Sequence, residues 1–365
     1  MPISATDSIT LAFQHTRRQL MQPFRLGQWT RLALVGFLAG ELGSSGGCNF
    51  PQNFNFPRHP EGSQRFLESP FSSIDPTLLA VLIGVLVVAV LVFGLIMMYV
   101  SSVMRFTLFD SVLEKECHIR REWSRRQGEG WRYFLWQLSY SLAVLGGMLL
   151  LLGIPALIAL ALGWFKDPGQ HMVGLVLGGI VVFLLFMIFT LGAAVVQVLT
   201  KDFVVPQMAL EKIGAIEGWR RLWPMLQADG SGYGGYVGMK IVLAIGAGIV
   251  VGIASLILGL MVAFPTVLLG IVAVFTGKTA GLTWNVFTIT VAVVAGCILL
   301  AAFLYLLALI SVPLIVFFPA YSIYFFAPRY RALSLVLYPP RPEAPGLEPA
   351  RPPEEPPPLM PAPTQ

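Results

Sequence analysis

Five stretches of this chain contain no Asp, Glu, Lys or Arg: 76–104, 133–165, 168–200, 241–277 and 279–328. Crossing ~30 Å of hydrocarbon takes about 20 helical residues, so each stretch specifies a membrane helix. The backbone must satisfy itself inside lipid, which leaves an α-helical bundle as the fold class. Pro265 and Pro313 divide the last two stretches, and the helices there are expected to run to about Ala263 and from about Trp284 to Ser311. Trp29–Leu42 is a sixth candidate, with Arg31 and Glu41 enclosing nine uncharged residues. Composition agrees. Only 12% of the 365 residues are charged, against about 25% in soluble domains.

The basic residues set the orientation. Segments 1–31, 105–132, 201–240 and 329–365 hold four, seven, five and four of the 24 Lys and Arg residues. If Trp29–Leu42 crosses, all four segments lie on one side, the cytoplasmic side of a bacterial cytoplasmic membrane. Six crossings with both termini inside follow. The net charge of +5 is then a record of topology and needs no nucleic-acid partner. Gly43–Asp75 becomes an outside loop carrying Phe50, Phe54, Phe56, Phe66 and Phe71, and 336–365 a Pro-rich cytoplasmic tail, expected to be extended and disordered. The membrane domain is 1–335. The N-terminus shows no basic segment ahead of an apolar one, so no cleaved signal peptide is expected.

An internal repeat is the most informative motif. Phe106-Thr-Leu-Phe-Asp-Ser-Val-Leu113-Glu114-Lys115 shares its first residue and last three with Phe203-Val-Val-Pro-Gln-Met-Ala-Leu210-Glu211-Lys212. Each is followed by Glu-Gly-Trp-Arg, at 129–132 and 217–220. Phe13 and Leu20, followed by Trp29 and Arg31, make a weaker third copy. Three parallel units result, about 8–104, 105–200 and 201–335. Phe and Leu seven apart share a helical face, so Phe13/Leu20, Phe106/Leu113 and Phe203/Leu210 are expected to anchor amphipathic segments in the interface. Trp131, Arg132, Trp219 and Arg220 then form corners at the headgroup level. The first copy carries an insert with Arg120, Arg121, Arg125 and Arg126, the best candidate patch for anionic lipid.

No catalytic constellation emerges. The long helices hold essentially no ionisable groups at depth, where intramembrane chemistry and ion coupling need them. His15, His59, His118 and His171 have no partners at metal-ligand spacing, and Cys48, Cys117 and Cys297 form no redox or metal motif, so neither cofactor nor metal is expected. Nucleophile-elbow and P-loop patterns are absent. Gln137, Ser139, Ser141, Thr190, Gln197, Ser255 and Thr290 are expected to bond between helices, and Gly174/Gly178 and Gly248/Gly252 to mark close helix packing within the bundle or between copies.

Asp202-Phe203-Val204-Val205-Pro206 with Leu210-Glu211 after a long helix, then Gly218-Trp219-Arg220, together with Pro23-Phe24 and Trp29–Arg31, resembles the six-helix bacterial membrane domain fused onto some glycerophosphodiester phosphodiesterases, and its stand-alone relatives. The likeness covers about 1–335 and implies fold and location. No room remains for a catalytic barrel, so it implies no activity. The sequence points to a non-enzymatic membrane protein that engages anionic lipid or scaffolds a partner. A transporter or channel for a small or lipidic solute, or an accessory subunit of a lipid or envelope enzyme, are the other readings.

Overall fold

A computed structural model describes residues 4–22, 24–41, 76–164, 169, 171–279 and 286–339. The outside loop, Cys48 and the Pro-rich tail beyond 339 lie outside the described residues. Every described element is helical: α1 (Ala5–Met21), α2 (Leu26–Leu38), α3 (Pro76–Glu114), α4 (Ile119–Ala161), α5 (Met172–Leu199), a π turn (Thr200–Val204), α6 (Val205–Glu211), α7 (Ala215–Ala228), α8 (Gly230–Thr279), α9 (Val286–Phe326), a 3-10 turn (Ala327–Arg329) and α10 (Arg331–Leu337).

Five helices are long and apolar enough to cross a membrane: Thr77–Glu114, Ile119–Ala161, Met172–Glu211, Gly230–Ala273 and Thr288–Arg329. They run 38–44 residues, or roughly 60 Å at 1.5 Å per residue, twice the hydrocarbon thickness. The surplus explains the architecture. In each helix the most apolar eighteen residues are at most 6% buried, whereas the other end enters a shared core. That core takes the C-terminal ends of α3, α5 and α9 and the N-terminal ends of α4 and α8, wrapped by α1, α2, α6, α7 and α10. Phe203 is fully buried at its centre, with Tyr233, Tyr236, Phe325 and Phe326 at ring-centroid distances of 5.0–6.0 Å. Tyr236 stacks on Tyr321 at 5.0 Å.

Several sequence expectations change. α8 continues through Pro265, and α9 continues through Pro313 and Pro319. A proline in a lipid-embedded helix leaves one carbonyl short of a donor, whereas unwinding would expose several backbone groups. α2 is only 13 residues, roughly 20 Å. Phe106–Glu114 and Val205–Glu211 are not separate interfacial helices: the first is the end of α3, the second continues α5 through the π turn. Phe106 and Phe203 are therefore core residues, Leu20 is buried, Leu113 and Leu210 pack half-buried against the core, and Phe13 alone of the six is exposed. The Glu-Gly-Trp-Arg corners are likewise helical, inside α4 and α7. Their glycines mark close approach: a Cβ on Gly130 would lie 2.5 Å from a Val103 methyl, and one on Gly218 2.7 Å from a Val204 methyl.

The glycines expected at helix contacts behave otherwise. A Cβ at Gly178 or Gly252 would meet nothing within 4 Å, and one at Gly174 would reach only Trp164 just before its own helix; Gly248 is half-buried. Within the chain, Gly36 against Ile315 and Gly147 against Phe189 make the close contacts instead. Ser139, Ser141 and Thr190 return their hydroxyls to carbonyls of their own helix, while Gln137 accepts from Ser102 across α3 and α4.

Candidate functional site

Two polar sites stand out on this frame. The first is a basic cleft on the surface of the core. Lys115 ends α3 in the left-handed region, φ 63°, which turns the chain so that 115–118 lies against α2. Gln28 donates through Nε2 to the Lys115 carbonyl at 2.8 Å, and Arg31 through Nη1 to the Cys117 carbonyl at 3.3 Å. The turn thereby joins Arg25 and Arg31 to His118, Arg120 and Arg121 at the start of α4. These residues line two adjoining clefts of about 270 and 540 Å³ that share Arg31 and His118, with Glu116 the acidic member. All four guanidinium side chains are exposed. Cys117 is buried behind the cleft, and burial pushes its thiol pKa up, away from reactivity.

The Arg-rich insert is thus split. Arg120 and Arg121 line the cleft. Arg125 is exposed and faces Glu114 at 3.7 Å. Arg126 is not a headgroup ligand: its side chain is 5% exposed and donates to both Asp110 oxygens, at 2.6 and 2.8 Å, and to the Ala209 carbonyl at 2.7 Å. It ties α3, α4 and α6 together. Among the other candidates, Trp131 and Arg220 are exposed, Arg132 is exposed and donates to the Lys212 carbonyl at 2.7 Å, and Trp219 is half-buried, donating to Thr200 Oγ1 at 3.0 Å.

The second site is internal. Lys201 donates to Glu41, and Lys240 donates to Asp202; both carboxylate side chains are 4% exposed. Tyr236 donates its hydroxyl to Asp202 Oδ2 at 2.9 Å. Arg105 donates to the Tyr133 hydroxyl and, at 3.2 Å, to the Ala39 carbonyl. Glu41, Arg105, Lys201, Asp202 and Lys240 line a cavity of about 30 Å³ whose wall also includes Phe109, Pro206, Phe318 and Ser322. The π turn supplies Lys201 and Asp202. Its Val205 N–H bonds the Thr200 carbonyl five residues back, and Pro206 next to it cannot donate to the ladder. Single-turn π segments of this kind occur often at functional sites.

Sequence reasoning missed this cluster, because each charge read as the end of a membrane run. The signal was there. Arg105 immediately follows the run 76–104, Lys201 follows 168–200, and Lys240 precedes 241–277. Three charges bordering three runs lie at one depth, and at one depth they can meet.

Among the described residues no three His, Cys, Asp or Glu side chains cluster as a metal site. No curated protein and no solved structure matches the chain significantly. A family model does, over residues 3–336. The chain belongs to the family of unknown function DUF7544.

Proposed function

We propose that this is a non-enzymatic integral membrane protein that holds anionic lipid headgroups in the basic cleft, at the cytoplasmic face of the bacterial cytoplasmic membrane. The observation that carries the reading is that Arg25 and Arg31 line one cleft and Arg31, Arg120 and Arg121 the adjoining one, from segments far apart in sequence. Guanidinium forks match phosphate oxygens in geometry as well as charge. Phe24 and Leu26, 55% and 65% exposed beside Arg25, supply the apolar contact that an interfacial surface needs. Lipid is favoured over a solute path because the apolar windows of the spans are 0–6% buried and so face outward.

The finer architecture of this reading is three parallel units and six crossings, with both termini cytoplasmic and the tail free for a partner. Several parallels support it. Lys115 and Lys212 occupy the same repeat position and both take a left-handed φ, 63° and 57°. Gly130 and Gly218 also correspond, and both are points of close packing. The corner of one unit bonds the Lys carbonyl of the next twice over, Gln28 to Lys115 and Arg132 to Lys212. Outward-facing spans leave room for a second copy of the chain as a partner.

The test is lipid selection. Purified from membranes or reconstituted in equimolar phosphatidylcholine and phosphatidylglycerol, the protein should retain the anionic lipid through a mild detergent wash, read by mass spectrometry. Each basic residue contributes about 1 kcal/mol, so Arg25/Arg120/Arg121→Gln should weaken retention by roughly 100-fold. Equal retention by the triple variant would sink the proposal.

A further inference from the structure

The formal charges of the internal cluster do not cancel. Among the described residues, Glu41 and Asp202 face Arg105, Lys201 and Lys240, which leaves one positive charge. Lys201 is paired with Glu41 and Lys240 with Asp202. The third cation, Arg105, is 9% exposed; its bonds go to a neutral hydroxyl and a carbonyl, and its buried Nε has no hydrogen-bond partner. A guanidinium cannot shed its proton to escape this position; Glu41 and Asp202 attract it through space, but each is hydrogen-bonded to a lysine, so among the described residues Arg105 makes no ion pair of its own. The neighbouring space has the complementary character. Its lining holds the three cations with the two carboxylates, Glu41 and Asp202, and apolar side chains including Leu108, Phe109 and Phe318.

Size decides what can enter. A water needs about 10–15 Å³, so a cavity of about 30 Å³ suits one monatomic ion better than a bulkier phosphoryl group. We propose that the cavity is a binding site for one halide-sized monoanion, held by Arg105, Lys201 and Lys240 where the charge-free runs end. The site is separate from the surface cleft and stands whether or not that cleft binds lipid. The bound anion completes the electrostatics of a cluster that joins α3, the π turn and α8 to the segment after α2, so occupancy should stabilise the whole core.

The experiment is thermal unfolding of the full chain in detergent, followed by tryptophan fluorescence, in sodium chloride, sodium bromide or sodium gluconate at equal ionic strength. Chloride and bromide should raise the melting temperature saturably, and gluconate, too large to enter, should not. Lys240→Gln takes the cluster to neutrality and should abolish the halide response. Asp202→Asn takes it to two positive charges and should move half-saturation to lower chloride. This opposite pair of shifts is not expected of residues that only hold the helices together. Should either variant fail to fold, chloride-35 line broadening on the unmodified protein, relieved by excess bromide, gives the same answer. Identical melting curves in chloride and gluconate overturn the proposal. So does a halide response that both variants leave unchanged, or stabilisation by added phospholipid with no halide response.

Discussion

Arg125 and Arg126 are neighbours in one basic insert, and composition treats them alike. Helical geometry separates them by about 100°, and their environments diverge completely. Arg125 reaches a carboxylate at 3.7 Å with both side chains more than half exposed, an arrangement worth roughly 0–1 kcal/mol. Arg126 grips Asp110 through two short bonds with both side chains 5% exposed. Removing Asp110 breaks both short bonds and leaves Arg126 the Ala209 carbonyl and Glu129 at 3.9 Å, at a cost of up to about 3–5 kcal/mol. Asp110→Asn should therefore lower stability in chemical unfolding by that amount, while Arg125→Ala stays within about 1 kcal/mol. Comparable losses from the two would mean that Arg126 is not the buried strut. The difference was not legible in the sequence, because a run of arginines fixes a face only once the helix phase and its neighbours are known. The glycines show the same limit. Gly178 has the spacing of a packing residue and open space around it, whereas Gly130, read as part of a corner, abuts Val103.

Among the elements, membrane helices were readable because absence of charge over 20 or more residues has few physical solutions. Where those helices end was not readable, since a helix may leave the bilayer without stopping. α3 continues past Arg105 to Glu114, and what looked like an amphipathic surface segment became core. α1 behaves as a true amphipathic element, docked on α3 and α9 by His15. The Val112 carbonyl, 3.0 Å from Nε2, fixes the proton there and leaves Nδ1 to accept from the Tyr324 hydroxyl at 3.1 Å. Burial holds the His15 pKa below the ordinary 6.5, and the positive charges of Lys115 and Arg18 act in the same direction. The unfolded chain therefore takes up this proton at a higher pH than the folded one. The contribution of His15 is fully present above the ordinary value and is lost as pH falls through 6.5 toward the folded value. Melting temperature should drop over that range, and His15→Gln should flatten the drop. An unchanged pH profile in the variant would mean that another group controls acid sensitivity.

Among the described residues, every basic residue but Lys278 lies at one end of the five long helices, with the core and the two polar sites, and exposed apolar surface fills the other. This asymmetry makes the path of the chain testable. α1 and α2 belong to the core, and Glu41 is buried there against Lys201. The next described residue, Pro76, begins α3 at the end remote from the core, since burial along that helix rises only from about Val103. Glu41 and Pro76 thus lie at opposite ends of the helices. Because α1 packs on the core, as the start of α4 does, Ser4 is expected on the side of Gly128. In a variant lacking Cys48, Cys117 and Cys297, an impermeant maleimide applied to intact cells should label Gly169→Cys, which lies beyond the far end of α4. Exposed Gly128→Cys, near the start of α4, and Ser4→Cys should react only after permeabilisation. The positive-inside bias of 105–132 and 201–240 requires that polarity. Labelling of Ser4→Cys from outside while Gly128→Cys stays protected would separate α1 from the core it packs against, and would refute the packing of α1 on α9.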